Sequence, residues 1–535
     1  MQVIRAFARV FGRIETLGVA LTGLLLALSG FSHQFVYGQG HLDRPILAVV
    51  AWLLVAFLIY GMAVWIVLRQ PQAVRPFDSG PGLGRGALAQ DVAHPEAKGR
   101  PERAERVEGR RQWSPGLARG APLSTVLLFA VLFRLVLLSS NVIQEDDLYR
   151  YVWDGQVSLQ GVSPYRYAPA DTPVELAPLR EVASSHPDIA ARVNHPGVPT
   201  IYPPVAQAVF ALTQWVAPWS LRGVRVMSMV FDSLCVLLII AILKQLALPP
   251  SRVLIYAWSP LVLKEFANSG HMDTIAMAMV LLSLLLVLRR RWGWAGAALA
   301  LGVAGKYYPL VLAPVIGQRV WREGRGVFHR WGIAFVGTLA FCFAPLIGDE
   351  LRAFHGLGIY AGTWELNAGL FSLVQGFARL VVGDVGPYAT RLFLGGVMVA
   401  ALVWSLRRPP ADRDDVRLIA RCVFVIGVLF LLSPVQTPWY LCWVVPLLCV
   451  VPSRAWLLLS GLVLCYYLGF FVEYHYAEPQ RSVLWNAVKT LEYAPFVGLV
   501  LWQWVRQRPQ VSDENRRMVA CARPALAASA VPRVG

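Results

Sequence analysis

Three consecutive carboxylates, Glu145, Asp146 and Asp147, follow closely on the apolar run Pro122 to Ser140, which is long enough to cross a bilayer. They open the stretch Glu145-Asp146-Asp147-Leu148-Tyr149-Arg150-Tyr151-Val152-Trp153-Asp154-Gly155. Ionisable side chains at membrane depth are rare and usually functional. Adjacent carboxylates raise one another's pKa, which suits one of them to accept a proton. The plainer reading is a charged helix end that stops the span from sliding inward.

Four further clusters could do chemistry. Asn268-Ser269-Gly270-His271-Met272-Asp273 interrupts two apolar runs. Its alternatives are an interhelical turn or a second contribution, through His271 and Asp273, to an outward cavity. Lys306 sits in a Gly305-Lys306-Tyr307-Tyr308-Pro309 break. It could snorkel to the interface or form an anion site. Trp364-Glu365-Leu366-Asn367 and Gln436-Thr437-Pro438-Trp439-Tyr440 mix rings, carboxylate and amides at span ends. Aromatic belts account for such clusters, and carbohydrate sites use the same residue types. The chain has no Walker loop, no Rossmann glycine fingerprint after a strand, no zinc signature and no Gly-x-Ser-x-Gly. An enzyme of this kind has no soluble nucleotide-sugar domain, and a lipid carrier would deliver its donor.

The elements that must position these residues are membrane helices. The 535 residues are 56% hydrophobic and 15% charged, with mean hydropathy +0.52, a membrane composition. We expect an all-α, polytopic transmembrane protein of about 12–14 spans. The net charge of +17 comes from arginines in loops and tails, so it reports orientation and not a nucleic-acid partner. Six of the seven cysteines lie in apolar runs and Cys521 in the tail, so no disulfide framework or metal spacing is implied. No cleavable signal peptide is expected, because the first apolar run lacks a small-residue cleavage site.

Residues 1–69 read as two spans behind Arg5, Arg9 and Arg13, which argues for a cytoplasmic N-terminus. Residues 70–121 are rich in Gly, Pro, Ala, Arg and Glu and read as a disordered basic cytoplasmic linker. The remaining membrane domain is 122–505, and 506–535 is a cytoplasmic tail. The third span therefore delivers the acids to the outer face, ahead of a large loop of amphipathic helices. Leu148, Val152 and Leu159 recur at helical spacing there, as an interfacial helix would have them, and Leu176 to Val193 suggest a second, interrupted near Pro187. Two parity problems arise. The run 295–317 has basic loops at both ends and splits at Lys306, as two half-helices would. Three apolar runs separate the acids from His271, so one of the three, with the short 204–218 the first candidate, must fall short of crossing if both face outward.

With these residues in view, the chain over roughly 122–475 resembles the GT-C superfamily of multispanning glycosyltransferases. It looks closest to the bacterial polyprenyl-phosphate-mannose-dependent alpha-mannosyltransferases. Glu145 to Tyr151 looks like that family's acidic motif in the first large outer loop. Val162-Ser163-Pro164-Tyr165, where relatives often have Asn-Pro-Tyr, and Ile201-Tyr202-Pro203-Pro204 continue it. The His271 cluster, the Lys306 break and Pro438-Trp439-Tyr440 resemble later signatures. The first two spans and the linker fall outside the match.

The resemblance implies an inverting transferase in the bacterial inner (plasma) membrane, with its active site on the periplasmic face. A polyprenyl-phosphate-linked sugar would be the donor and a glycan or glycolipid the acceptor. Asp146 is the base by similarity to the motif's first acid, with Asp147 second; spacing alone does not choose between them. Arg150 and Lys306 would meet the leaving phosphate. Glu145, Tyr149, Asp154, Tyr165, His195, Tyr202, His271, Asp273, Tyr307, Glu365, Asn367, Gln436, Trp439 and Tyr440 would complete the substrate site. No metal or cofactor is expected. The competing reading is a transporter or lipid flippase, which would show an internal repeat with paired broken helices.

Overall fold

The computed structural model describes residues 13–36, 45–69, 121–383, 386–407 and 415–527. The 70–121 linker lies outside them save for Ala121. Among the described residues the protein is all-helical without strands; Leu366 and Val435 form an isolated parallel bridge. Six helices are long and apolar enough to cross a membrane by length and composition, and five shorter apolar helices accompany them. This is a polytopic helical membrane protein.

The helices that concern the site are, in chain order, α1 (Ile14–Phe31), α2 (Ile46–Leu68), α3 (Leu123–Leu138), α4 (Asp147–Leu159), α5 (Pro204–Val216) and α6 (Leu221–Gln245). They continue with α7 (Asp273–Leu288), α8 (Trp292–Gly305), α9 (Arg325–Phe343), α10 (Gly369–Val382) and α11 (Gly386–Arg407). Three more follow: α12 (Asp415–Leu432), α13 (Arg454–Leu462) and α14 (Gln480–Ala527).

One large apolar core runs through α1–α3, α6–α8, α12 and α13. The two N-terminal helices are part of it. A Cβ on Gly18 would lie 2.5 Å from the Phe129 ring, and Tyr60 donates to the Ile255 carbonyl at 2.7 Å. Inside this core Arg134 of α3 pairs with Asp232 of α6 and donates to the Ala257 carbonyl at 2.9 Å. The Tyr256 hydroxyl donates to Asp232 at 2.7 Å. A buried pair of this kind costs about 3–5 kcal/mol to break by removing one partner, so it fixes α3 against α6.

A second, smaller core is built from α4, α5 and the loop between them. The 13 residues of α5 reach only about 20 Å, short of the ~30 Å hydrocarbon. In the structure α5 packs over α4 as a cover. Gly155 permits the contact, because a Cβ there would lie 2.6 Å from the Phe210 carbonyl oxygen. Expected as an interfacial helix, α4 is instead buried at every residue from Leu148 to Val157. The expected second amphipathic helix is reduced to short pieces, Val174–Leu176, Ala177–Ala183 and Pro187–Ala190. The run 295–317 breaks at Lys306 as expected: α8 ends at Gly305 and a helical stretch resumes at Tyr308.

Candidate active site

The acidic stretch is held from both sides. Asn268 Nδ2 donates to the Ser140 hydroxyl and the Asn141 carbonyl, both at 2.8 Å, and Asn268 Oδ1 accepts from Ile143 N at 3.0 Å. Gln144 follows at φ 46°, a left-handed backbone uncommon outside glycine. It is anchored by its own amide, which donates to the Phe35 carbonyl at 3.0 Å. His195 and Asn367 share this conformation and also line the cavity described below. Strained backbone of this sort gathers at functional sites.

Glu145 then does structural work. Its Oε1 accepts from the backbone N–H of Asp146 and of Asp147, each at 3.0 Å. That satisfies donors left open at the start of α4. Its Oε2 lies 2.9 Å from His271 Nε2, and Glu265 Oε2 lies 3.3 Å from the same nitrogen. His271 Nδ1 faces Asp147 Oδ2 at 3.6 Å. The imidazole is fully buried and stacks on Trp439, with ring centroids 4.0 Å apart. Asn194 bridges the last two acids, donating to Asp147 at 2.6 Å and to Asp146 at 3.2 Å.

These contacts set the charges. Burial alone would lower the pKa of His271. The charge and hydrogen bond of Glu145, then Glu265, outweigh it and push the imidazole up to about 10. Burial would raise Glu145, but the His271 cation holds it below the ordinary value. Asp146 is pushed up to about 8 by burial and by the charges of Glu145 and Asp147. Asp147 rises to about 6 from burial and Glu145, with His271 and Lys306 opposing. Of the Asp146 oxygens, Oδ1 takes the Asn194 bond, and Oδ2 receives no hydrogen bond from the described residues.

The triplet opens into a cavity of about 650 Å³. Glu145, Asp146, Asp147, Arg150, His195, Tyr202, Lys306, Glu365, Asn367, Trp439 and Tyr440 line it, so these expected residues meet in one place. Tyr149, Asp154, Tyr165, His271, Asp273, Tyr307 and Gln436 are absent from its lining. Several of them stand behind it. Asp273 accepts from Lys306 Nζ at 3.1 Å and from Trp443 Nε1 at 2.8 Å. Asp154 accepts from Arg150 Nε at 2.8 Å and Gln207 at 3.1 Å. Arg150 also donates to the His195 and Val198 carbonyls, which turns its guanidinium toward the loop it pins. Gln436 donates to the Ser433 carbonyl at 2.8 Å, and the Tyr165 hydroxyl donates to the Tyr202 carbonyl at 2.8 Å. Tyr149 accepts from Arg192 at 3.1 Å. Tyr307 packs near Phe343, 6.4 Å between centroids, while the next residue, Tyr308, stacks on Trp443 at 4.1 Å.

Sequence reasoning missed Asn194, Glu265, Lys264 and Tyr467. Lys264 and Glu265 are a charged pair inside the apolar run 253–267, a signal that intramembrane ionisable groups provide by default. They sit on a π-helical turn, Leu263–Asn268, a distortion common at functional sites. Lys264 donates to Ser269 at 2.5 Å and to the Tyr467 hydroxyl at 2.8 Å, and Tyr467 donates to Glu265 at 2.7 Å. Two groups could hold a metal by the closeness of their ligand atoms, all within 4.8 Å: Glu145, Glu265 and His271, and Glu145, Asp146 and Asp147.

A carboxylate cluster beside cations and rings thus stands in a cavity framed by the helices of a polytopic membrane protein. Residues 200–434 match the model of glycosyltransferase family 87, a GT-C type membrane glycosyltransferase family. The match indicates a membrane glycosyltransferase. It takes in Tyr202, His271, Asp273, Lys306, Glu365 and Asn367, while the acid triplet and Trp439 lie on either side. No curated protein and no solved structure matched the chain.

Proposed function

We propose that the protein transfers a sugar, mannose by resemblance, from a polyprenyl-phosphate donor to a hydroxyl of a glycan or glycolipid acceptor, with inversion. The observation that carries this reading is the pairing of Asp146 with an unoccupied hydrogen-bonding direction on Oδ2 in a 650 Å³ cavity. The acceptor hydroxyl attacks the anomeric carbon as Asp146 takes its proton, and the bond from that carbon to the phosphate oxygen breaks. A positioned base contributes about 10²–10⁴-fold. Asp147, held by Asn194 and facing His271, orients the acceptor. Lys306 and the Tyr202 and Tyr440 rings beside it, 5.6 and 4.8 Å from Nζ to the centroids, offer surfaces for sugar. We place the cavity on the periplasmic face of a bacterial inner membrane and both termini in the cytoplasm, from the arginine asymmetry of the first three spans.

Purified protein in nanodiscs, given a panel of polyprenyl-phosphate sugars and candidate acceptors, tests this reading. Release of polyprenyl phosphate with an inverted linkage is expected, fastest with mannose. Absence of release across the panel, or a retained anomeric configuration, would overturn it.

A further inference from the structure

The cavity contains a second polar region that the acidic motif does not reach. One face of α14 points into it. Arg481, Trp485 and Lys489 recur at four-residue spacing, and all three line the cavity. Lys489 is half-buried, and its Nζ donates to Ser372 of α10 at 3.4 Å. One turn further along α14, Glu492 is fully buried and accepts from Asn367 Nδ2 at 2.7 Å. Asn367 Nδ2 also reaches the Gln436 carbonyl at 3.2 Å.

Besides Glu492 Oε1, two buried polar atoms on this wall lack hydrogen-bond partners among the described residues: Asn367 Oδ1 and Thr437 Oγ1. Both residues line the cavity, and Thr437 is wholly shielded from solvent. Buried polar groups are almost always satisfied, so these are positioned for a ligand's hydroxyls. Two residues beyond Thr437, Trp439 stacks on His271, which contacts Glu145. Lys489, Asn367 and Thr437 thus line the same cavity as the acids. Leu370 and Leu373 of α10 and Leu491 of α14 are exposed. In a membrane protein such side chains face lipid.

We infer that Lys489, with Ser372, anchors the phosphate of the lipid-linked donor between α10 and α14, and that Asn367 and Thr437 take hydroxyls of the sugar to be transferred. The inference rests on the donor class proposed above and names its binding site. Displacement with inversion requires base and leaving phosphate on opposite sides of the anomeric carbon, and an anchor at Lys489 would hold the phosphate across that carbon from the acids. Arg150 is turned toward the loop at His195 and Val198, and Lys306 is paired to Asp273 on the side of the acids. Lys489, by contrast, bridges α14 and α10 through Ser372. The polyprenyl chain would leave the cavity there, beside Leu373.

Equilibrium binding to the full-length protein in nanodiscs provides the test, with polyprenyl phosphate, the matched polyprenol and inorganic phosphate as probes. Wild type should prefer polyprenyl phosphate to polyprenol. Lys489→Ala should weaken polyprenyl phosphate about 10- to 100-fold, the usual weight of a charge-assisted hydrogen bond, and leave polyprenol unchanged. Lys489→Arg should restore most of the loss. A wild-type protein that does not discriminate overturns the donor class and the anchor together. A discriminating wild type with an equally discriminating Lys489→Ala overturns the anchor alone, as does an equal loss of both lipids. Inorganic phosphate binding as tightly as polyprenyl phosphate would assign the site to a free anion and overturn its link to lipid.

Discussion

Replacing His271 with Gln should move the pH dependence of transfer toward alkali. The imidazole is fully buried and stands 2.9 Å from Glu145, 3.3 Å from Glu265 and 3.6 Å from Asp147. Unit charges about 4 Å apart interact by about 4 kcal/mol at an effective dielectric near 20, and about 1.4 kcal/mol corresponds to one pKa unit. Asp147 thus stands to rise by as much as about 3 pH units; because His271 is shared among three carboxylates, about 1–2 is the expected change. In the wild type, kcat/KM should rise with pH through an apparent pKa between about 6 and about 8, set by the Asp146 and Asp147 cluster as a whole. Loss of the cation makes both aspartates hold their protons more tightly. At neutral pH the variant should therefore lose about 10- to 100-fold and recover much of that loss near pH 9. Glu265→Gln removes an anion and should shift the same limb the other way. Initial rates from pH 5 to 9.5, on protein whose folding is checked by thermal melting, provide the assay. An unmoved limb in His271→Gln, or a loss that does not recover at high pH, refutes the electrostatic role of this residue.

Other outcomes follow from the same geometry. Asn194→Ala removes hydrogen bonds to both aspartates and should lower kcat by about 10-fold or more with donor KM little changed. Gly155→Ala puts a Cβ against the Phe210 carbonyl and should cost about 1–3 kcal/mol of stability, read as a lower melting temperature without a change in the pH profile. In a background without native cysteines, an impermeant reagent applied from outside should label Ala170→Cys and spare Gln90→Cys, and the reverse pattern would invert the proposed topology.

Much of the site was legible because membrane chemistry makes polar residues conspicuous. Three acids after an apolar run, a histidine between two spans and a lysine in a helix break each stand out against their surroundings. The contact of His271 with Glu145 puts the two motifs on one face. What hydropathy conceals is a charge inside a window that still averages as apolar. Glu265 and Lys264 vanish into the 253–267 run in this way, and Lys489 into 483–504. Asn194 lies in a loop without periodicity, and its role depends on a fold that brings it 2.6 Å from Asp147. The burial of α4 was hidden for a related reason. Its pattern describes a helix with one apolar face, whereas α5 covers the other with Gln207 and Gln214 hydrogen-bonded to Asp154 and Gln156.

Transfer by Asp146→Asn bears most directly on the central claim. The substitution keeps the size and hydrogen-bonding reach of the side chain while removing the basic oxygen. A base acts in the transition state, so kcat and kcat/KM should fall together by about 10²-fold or more, with donor affinity nearly unchanged. Asp147→Asn should cost less. The measurement is single-turnover transfer from a polyprenyl-phosphate sugar, with wild type, both single variants and the double variant at matched membrane levels. A folded Asp146→Asn protein at near wild-type rate with an inactive Asp147→Asn would move the base by one residue. Activity in all three variants would contradict the account, leaving the acid triplet as a helix stop.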